Sequence, residues 1–250
     1  MRFKGKVVLV TGASRGIGRA LALAFGKEGA RVAVNHPGEK EKAAEVVGAI
    51  PEALAVEADV GKKKDIDRMV AEVVAKWGRI DVLVNNAGIC PFSEFLDVSE
   101  ELWDRVNAVN LKGTYFCSQA VARHMVEKKI RGRIVSVSSI SAYVGGALQT
   151  HYTPTKAGIK SLMQSMAIVL GPHGITCNSV MPGTVLTDIN RATFEEKPEQ
   201  KAYFEKRIPL GRLGAPEDLC GAVTFLASDD AAYVTGAEIL VDGGLFVNLQ

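Results

Sequence analysis

Short apolar runs alternate with longer segments of helical periodicity along most of the chain. The first run, Lys6–Thr11, reads KVVLVT and is rich in β-branched residues, which is typical of a strand buried on both faces. Helical periodicity is clear over Asp65–Trp77, Glu101–Met125 and Tyr152–Leu170. The pattern predicts strands over Val7–Val10, Arg31–Asn35, Ala53–Glu57, Val82–Asn85, Arg133–Val137, Thr176–Met181 and Glu238–Val241.

Buried strands that alternate with helices predict an α/β fold with a doubly wound parallel β-sheet and helices on both faces. The sequence contains no internal repeat, low-complexity stretch or Pro/Gly-rich linker, so we expect a single domain over residues 1–250. The charged segment 184–207 follows a strand, where ligands bind in such sheets. We expect an insertion there, which is either a substrate lid or a solvated surface helix.

The composition excludes several classes of protein. Hydrophobic residues make up 47% of the chain, and the net charge of +2 arises from well-mixed acidic and basic residues. Mixed charge gives no electrostatic reason to bind nucleic acid or an anionic membrane. No apolar run is long enough to span a bilayer. Because Met1–Lys4 leads at once into the first predicted strand, we expect no signal peptide.

The four cysteines, Cys90, Cys117, Cys177 and Cys220, are scattered along the chain. They lack the spacing of metal ligands, so we predict no metal site. Unpaired cysteines favour a reducing compartment, and we therefore expect a cytoplasmic protein.

A glycine-rich turn separates the first strand from a helical pattern. Gly12, Gly16 and Gly18 form a GxxxGxG arrangement, and Ile17 and Leu21 begin an apolar helix face. Glycines let a backbone approach a pyrophosphate closely, and a helix N-terminus offers free N–H groups and a positive dipole. The turn indicates either a dinucleotide site or a simple chain reversal.

Tyr152 and Lys156 lie four residues apart in a predicted helix, with Ser139 upstream. Residues i and i+4 share one helix face, so the phenol and the ammonium group are expected to point into the same space. A free tyrosine has a pKa of about 10, and a nearby cation lowers that pKa toward neutral pH. The pair indicates either proton transfer at an oxygen or an ordinary exposed helix pair.

The glycine turn and the Tyr152/Lys156 pair belong to a longer series of motifs. In order, the series is Thr11-Gly12-xxx-Gly16-x-Gly18, Asn85-Asn86-Ala87-Gly88, Asn110, Ser139, Tyr152-xxx-Lys156 and Pro182-Gly183. The series resembles the short-chain dehydrogenase/reductase family in order and spacing, from Lys6 to Gly244. The resemblance implies a Rossmann-like fold, and hydride transfer to or from a nicotinamide cofactor.

The resemblance also implies a catalytic set of Asn110, Ser139, Tyr152 and Lys156. It implies that Tyr152 is the general base in oxidation. It also implies that Lys156 binds the nicotinamide ribose and, together with the positive charge of the oxidised nicotinamide, lowers the phenol pKa. Ser139 hydrogen-bonds the substrate oxygen, where charge develops. Asn110 holds a water that links Lys156 to solvent. Alternatively, Ser139 bonds the backbone and Asn110 is a helix-bending residue.

For the cofactor, the resemblance implies NADP, with NAD also accepted. An acidic residue ends the second strand in NAD-preferring relatives, whereas His36 holds that position here. Arg15 matches a position that favours NADP, and arginine binds phosphate through a planar fork of donors; the alternative is a solvated loop cation. Asp59 matches the position that contacts adenine. The expected cofactor-binding set is Gly12, Ser14, Arg15, Gly16, Ile17, Gly18, His36, Asp59, Val60, Asn86, Ala87, Gly88, Tyr152, Lys156, Pro182, Gly183, Val185 and Thr187.

The segments 85–92, 144–151 and 245–250 resemble those of bacterial family members that oxidise L-rhamnose at C1. This resemblance implies a small-molecule sugar substrate whose anomeric hydroxyl is oxidised to a lactone. Buried polar groups would select a hydroxyl-rich ligand, because analogues without the hydroxyls leave them unpaired. The expected substrate-binding set is Ser139, Ser141, Gln149, Tyr152, Cys90, Phe92 and Asn190. Packing is the alternative role for Ser141, Gln149, Cys90, Phe92 and Asn190. His151 is also expected near the sugar, or else is a surface helix residue.

The chain ends in the apolar segment 245–250. An exposed apolar tail favours packing, either within the chain or across an oligomer interface toward a neighbouring substrate cleft, with Gln250 near the sugar. The family resemblance implies a homotetramer.

Two other functions are compatible with the sequence. The first is a ketoacyl reductase for carrier-protein-bound substrates, which would need a basic docking surface such as Lys128, Lys129, Arg131 and Arg133. The second is a dinucleotide-sensing module without turnover. A sensor has no need for a proton relay, so the catalytic set argues against it.

Overall fold

A parallel β-sheet lies between two layers of helices in the computed structural model, which describes residues 1–188 and 190–248. The strands are β1 (Val7–Val10), β2 (Arg31–His36), β3 (Ala53–Glu57), β4 (Val82–Asn85), β5 (Arg133–Val137), β6 (Thr176–Pro182) and β7 (Glu238–Val241). The helices are α1 (Gly16–Lys27), α2 (Lys40–Gly48), α3 (Lys63–Trp77), α4 (Glu100–Asn107), α5 (Gly113–Glu127), α6 (Thr153–Leu170), α7 (Arg191–Glu196), α8 (Pro198–Arg207) and α9 (Cys220–Ala227). Among the described residues, no helix has the length and apolarity needed to cross a membrane.

The predicted doubly wound α/β fold is confirmed. Five strands have the predicted bounds, while β2 and β6 each extend one residue further, to His36 and Pro182. The helical pattern predicted over Glu101–Met125 is confirmed, because the chain stays helical from α4 through α5. The hydrogen bonding changes to a π-helical turn over Ala108–Lys112, which the pattern did not predict. Tyr152 lies immediately before α6 rather than within it.

Alternate side chains of the central strand face two separate cores. Val8 and Val10 pack with residues of α1 and α9, whereas Val7 and Leu9 pack with residues of α3 and α5. All four are completely buried. A strand covered on both faces has no polar side, which explains why β1 is a continuous apolar run.

The strand order β3-β2-β1-β4-β5-β6-β7 reverses direction at β1. In such a sheet a crevice opens at the carboxyl ends of the two strands that flank the reversal, here β1 and β4. Gly12 lies just beyond β1, Asn86 just beyond β4 and Ser139 just beyond β5. Because all the strands are parallel, the fold brings these distant residues to one edge of the sheet.

Candidate active site

The glycine-rich turn between β1 and α1 is fixed by side chains from both neighbouring strands. Gly12 and Gly16 have φ angles of 61° and 55°, which favour glycine. The N–H of Gly12 donates to Asn35 Oδ1 at 3.1 Å, and Asn86 Nδ2 donates to the Gly12 carbonyl at 3.0 Å. The buried Asn35, which the sequence analysis did not single out, also donates to the Ala58 carbonyl at 3.0 Å, so it joins three strand ends.

Gly18 is the tightest position of the turn. A Cβ atom built there would lie 2.2 Å from the Gly12 carbonyl oxygen and 2.5 Å from Asn86 Nδ2. By contrast, a Cβ atom on Gly16 would approach only the Thr187 side chain, with Cγ2 at 3.7 Å and Cβ at 3.8 Å. The backbone therefore packs closely behind Gly18 and is open in front of Gly16, toward the segment after β6.

The residues at the start of α1 fit a nucleotide phosphate. The Arg15 side chain, which precedes the helix, does not cap the first turn. Uncapped N–H groups and the helix dipole attract anions. A cleft of about 740 Å³ adjoins this turn and includes Gly16 and Thr187. Six cationic side chains, among them Arg15, Arg19 and Arg191, line it together with four carboxylates, so its lining is net positive. Open backbone and positive charge together suit the pyrophosphate and phosphate groups of a dinucleotide.

Ser14 and Arg15 both bond Glu39, a residue that the sequence analysis missed. Arg15 Nε donates to Glu39 Oε1 at 2.9 Å, and the Ser14 hydroxyl donates to the other carboxylate oxygen. Partial burial raises the pKa of Glu39, but the bonds from Ser14 and Arg15 outweigh burial and the pKa is lowered. Glu39 immediately precedes α2, so no local sequence pattern pairs it with the glycine turn.

His36 and Asp59 stabilise the loops at the ends of their strands. His36 is buried, and its Nδ1 accepts a hydrogen bond from the N–H of Gly38 at 3.3 Å. Asp59 forms an ion pair with Arg105 at 2.9 Å and accepts from the N–H of Gly61 at 2.9 Å. Both residues lie on the predicted edge of the sheet, and their contacts with a cofactor stay predictions, as does that of the buried Val60.

Asn110 lies in the π-helical turn and is completely buried. Its Oδ1 accepts from the N–H of Ile89 at 2.9 Å, and its Nδ2 donates to the Ile89 carbonyl at 3.0 Å and to Thr155 Oγ1 at 3.2 Å. The side chain thus joins the loop after β4 to the first turn of α6. π-helical turns are frequent at functional sites, because the extra residue redirects a side chain out of the regular helix face.

Lys156 is buried beside Asn110. Its Nζ donates to the Val137 carbonyl at 3.0 Å. A Cβ atom on Gly88 would lie 3.6 Å from Lys156 Nζ and 3.5 Å from Asn110 Oδ1, so the absence of a side chain at Gly88 leaves open the space that these two polar groups border. Burial lowers the pKa of Lys156 to about 8, and a smaller opposing effect of Cys90 does not cancel it.

Tyr152 lies between Lys156 and Ser139. Lys156 Nζ is 5.4 Å from the centroid of the phenol ring, and the Tyr152 side chain hydrogen-bonds Ser139. Ser139 Oγ also accepts from the N–H of Ser141 at 3.1 Å. Burial raises the pKa of Tyr152, and the Ser139 bond only partly offsets it. The protein groups alone therefore do not lower the phenol pKa, because burial outweighs their polar contacts. The predicted lowering, which includes the positive charge of the oxidised nicotinamide, stays a prediction.

Several predicted substrate residues lie where two loops bond each other. Gln149 Nε2 donates to Cys90 Sγ at 3.3 Å, and His151 Nε2 lies 2.7 Å from the Pro91 carbonyl oxygen. His151 is completely buried, so it is a structural link between the loops rather than a surface helix residue. Burial raises the pKa of Cys90, which favours a packing role for this thiol. Phe92 is 55% exposed and free to meet a ligand.

The residues after β6 form a bonded loop. The N–H of Gly183 donates to the Val241 carbonyl at 3.1 Å, and Val185 forms an isolated parallel bridge with Gly214. Asn190 Oδ1 accepts from the N–H of Thr187 at 2.9 Å, and its Nδ2 donates to the Val185 carbonyl at 2.8 Å. Asn190 thus shapes the loop in this structure, and its contact with a substrate stays a prediction.

The segment 184–207 ends in α7 and α8, which form a small apolar cluster of their own. The rings of Phe194 and Phe204 lie 6.0 Å apart, and Phe194 packs with Ile208 and Leu213. The α8 residues are partly or fully exposed, which fits both a surface helix and a lid. In the described part of the tail, the Phe246 ring lies 5.6 Å from that of Tyr143. Gln250, predicted near the sugar, lies outside the described residues.

Comparison with known proteins identifies the family. A family model described as enoyl-(acyl carrier protein) reductase matches residues 12–246. The L-rhamnose 1-dehydrogenase (NAD(P)(+)) of Sphingomonas sp. strain SKA58 is 55% identical over 99% of this chain and 98% of its own length. The 3-oxoacyl-[acyl-carrier-protein] reductase of Staphylococcus epidermidis is 42% identical over 97% of this chain and 99% of its own. The structure of a short-chain type dehydrogenase/reductase from Mycobacterium marinum has a TM-score of 0.89 and 37% identity, covering 97% of this chain and 96% of its own.

The chain therefore belongs to the short-chain dehydrogenase/reductase family, as the order of its motifs predicts.

Proposed function

We propose that the protein oxidises the C1 hydroxyl of L-rhamnose to L-rhamnonolactone, using NADP in preference to NAD. One observation carries the choice of reaction: Tyr152, Lys156 and Asn110 converge at the edge of the sheet that also holds the glycine turn. The choice of substrate is supported by 55% identity, over nearly the whole chain, to a dehydrogenase named for L-rhamnose. That identity exceeds the 42% shared with the carrier-protein reductase, which is the alternative activity.

The glycine turn and its neighbours hold the dinucleotide in this proposal. The N–H groups at the start of α1 bind the pyrophosphate, and Arg15 binds the 2′-phosphate of NADP. Lys156 bonds the nicotinamide ribose from the space beside Gly88. When bound, the nicotinamide supplies the acceptor for the C1 hydride.

Tyr152 and Ser139 act on the sugar hydroxyl. Ser139 donates a hydrogen bond to the C1 oxygen and holds it against Tyr152, whose phenolate accepts the hydroxyl proton. As the C1–H bond breaks, the electron pair of the O–H bond forms the lactone carbonyl. Burial raises the pKa of Tyr152, so the phenolate depends on positive charge nearby. Lys156, whose Nζ lies 5.4 Å from the phenol ring centroid, supplies part of that charge.

Lys156 and Asn110 return the proton to solvent. A pKa of about 8 allows Lys156 to release and take up a proton near neutral pH. Asn110 is locked by its bonds to Ile89 and Thr155, so its side chain stays beside Lys156 throughout turnover. A water bound between the two residues would complete the path to solvent.

The sugar is held by the residues around this centre. We assign contacts with its hydroxyls to Ser141, Gln149 and Asn190, and contact of the exposed Phe92 ring with its C6 methyl group. The segment 184–207 acts as a lid on the single domain, since Thr187 lies 3.7 Å from a Cβ position on Gly16. Slower hydrogen exchange of α7 and α8 when sugar and nucleotide bind would support a lid, and unchanged exchange would contradict it.

The proposed function is tested by a panel of aldoses with NADP or NAD, followed by NADPH absorbance. Turnover of L-rhamnose supports the proposal, with a lower rate for sugars that lack its hydroxyl arrangement. Reduction of an acetoacetyl thioester with NADPH, without sugar oxidation, would support the carrier-protein activity instead. Nucleotide binding without any turnover would support a sensing module.

The basic docking surface of the carrier-protein alternative is only partly available. Arg133 is buried, donates to the Ser228 carbonyl at 3.2 Å and pairs with Asp229 at 3.2 Å. Its assignment to a docking surface is therefore wrong. Lys128, Lys129 and Arg131 are exposed after α5, so three of the four predicted residues remain available for docking, beside the exposed carboxylate of Glu127.

We also propose a cytoplasmic homotetramer. Exposed apolar side chains support association: Ile168 and Val169 at the end of α6 are 79% and 69% exposed, and the Tyr233 side chain is fully exposed. The end of α6 lies next to the segment before β7, because a Cβ atom on Gly236 would lie 3.5 Å from Ala167 Cβ. Sedimentation analysis of the purified protein would test the tetramer, and a monomer at micromolar concentration would contradict it.

A further inference from the structure

Arg15 is already bonded by a carboxylate within the chain. Its Nε donates to Glu39 Oε1 at 2.9 Å, while Ser14 donates to the second oxygen of the same carboxylate. The two donors lie in the turn after β1, and the acceptor lies between β2 and α2. Glu39 is therefore attached to the edge of the cleft that carries the positive charge.

The ion pair can exchange partners. The side chains of Arg15 and Glu39 are 41% and 31% exposed, and exposed ion pairs contribute little net stability because solvent screens them. Opening the pair therefore costs little. A phosphate group that reaches Arg15 would meet the Glu39 carboxylate, and two anions on one guanidinium repel each other.

We propose that Glu39 sets the choice between the two nucleotides: it holds Arg15, weakens binding of the 2′-phosphate and so allows NAD to compete with NADP. This inference rests on the proposed use of both nucleotides. His36, which occupies the position expected for an acidic residue, is buried and bonded to Gly38. Glu39 supplies the negative charge that the end of β2 itself lacks.

The Glu39 carboxylate interacts differently with the ribose of NAD and with that of NADP. The ribose of NAD carries hydroxyl donors, which a carboxylate accepts favourably. The ribose of NADP carries a phosphate of about two negative charges, which must displace Glu39 from Arg15 before the guanidinium can bind it. Selectivity therefore arises from a repulsive group as well as from an attractive one.

The test is calorimetric binding of NADP and NAD, without sugar, to the whole protein and to its Glu39→Gln variant. Glutamine keeps an acceptor for Ser14 and Arg15 and removes the charge. We expect the ratio of the NAD and NADP dissociation constants to shift toward NADP by about three- to tenfold, which is the range of a screened charge interaction of roughly 1 kcal/mol. Glu45→Gln is the matched control, since Glu45 lines the same cleft on α2 and loses the same charge.

The double variant Arg15→Gln/Glu39→Gln separates competition for Arg15 from general repulsion. If Glu39 acts by holding Arg15, the Glu39→Gln effect shrinks by more than half when Arg15 is already replaced. An unchanged ratio in Glu39→Gln, or an equal shift in Glu45→Gln, overturns the role of Glu39 and leaves the proposed function intact. If the unaltered protein binds neither nucleotide, the proposed function and this inference both fail.

Discussion

Replacing Lys156 with methionine is expected to abolish turnover and to change how stability depends on pH. Lys156 is 4% exposed, and its Nζ has one described acceptor, the Val137 carbonyl. Burial lowers its pKa from 10.5 to about 8. A buried ammonium group is costly, so the residue that serves the proposed proton transfer also reduces the stability of the fold.

The magnitude follows from the two pKa values. At about 1.4 kcal/mol per tenfold change in proton affinity, the difference corresponds to about 3 kcal/mol. Between pH 8 and 10.5 the unfolded chain keeps a proton that the folded protein has released, so stability rises with pH in that window. Below pH 8 both forms carry the proton, and the full penalty is present.

Urea unfolding at about pH 7 and about pH 10 measures this effect in the unaltered protein and in Lys156→Met. We expect the unaltered protein to gain about 2–3 kcal/mol relative to the variant between these pH values. The comparison cancels the other titrating groups. The absolute stability of the variant is less informative, because the Val137 carbonyl loses its donor at a cost of about 1–3 kcal/mol.

Lys64→Met is the control, because Lys64 is exposed on α3 and its replacement removes the same formal charge. Its unfolding free energy should follow that of the unaltered protein at both pH values. If Lys156→Met also follows the unaltered protein within about 1 kcal/mol, burial does not perturb Lys156, and the assignment of a proton-releasing lysine is wrong.

Two further substitutions test the packing and hydrogen bonds that hold the glycine turn and the loop after β4. Gly18→Ala should weaken NADP binding at least tenfold and lower the unfolding free energy by about 1–3 kcal/mol, because the new Cβ would lie 2.2 Å from the Gly12 carbonyl oxygen. The control is Gly48→Ala, in open space on α2, which should be neutral or stabilising. Equal behaviour of the two variants in urea unfolding would contradict the argument. Asn110→Ala should lower the unfolding free energy measured in urea by about 2–5 kcal/mol, because the N–H and the carbonyl of Ile89 both lose their hydrogen-bond partner. A decrease below about 1 kcal/mol would mean that Asn110 does not hold the loop after β4.

The sequence predicted the fold in detail because its strands carry a local signal. Strands covered on both faces are continuous apolar runs. Five of the seven strands in the sheet begin and end as predicted. Between Glu101 and Met125 the sequence predicted the helix but not the π-helical turn over Ala108–Lys112, because one additional residue in a turn leaves no local sequence signal. The residues of the candidate site were predicted from the order of the motifs along the chain. The motifs did not predict which side chains contact each other.

What the sequence alone determined is the set of residues that can form short-range structure: the apolar strands, the glycines with positive φ and the helix that follows them. Only the tertiary structure determined the contacts within the candidate site, because these contacts join residues that are far apart in the chain. Arg15 meets Glu39 across 24 positions, and Asn110 meets Ile89 and Thr155 across 21 and 45. The pKa of Tyr152 is raised and that of Lys156 is lowered by burial, because burial disfavours the charged form of each group. This burial exists only after the chain has folded around the two side chains.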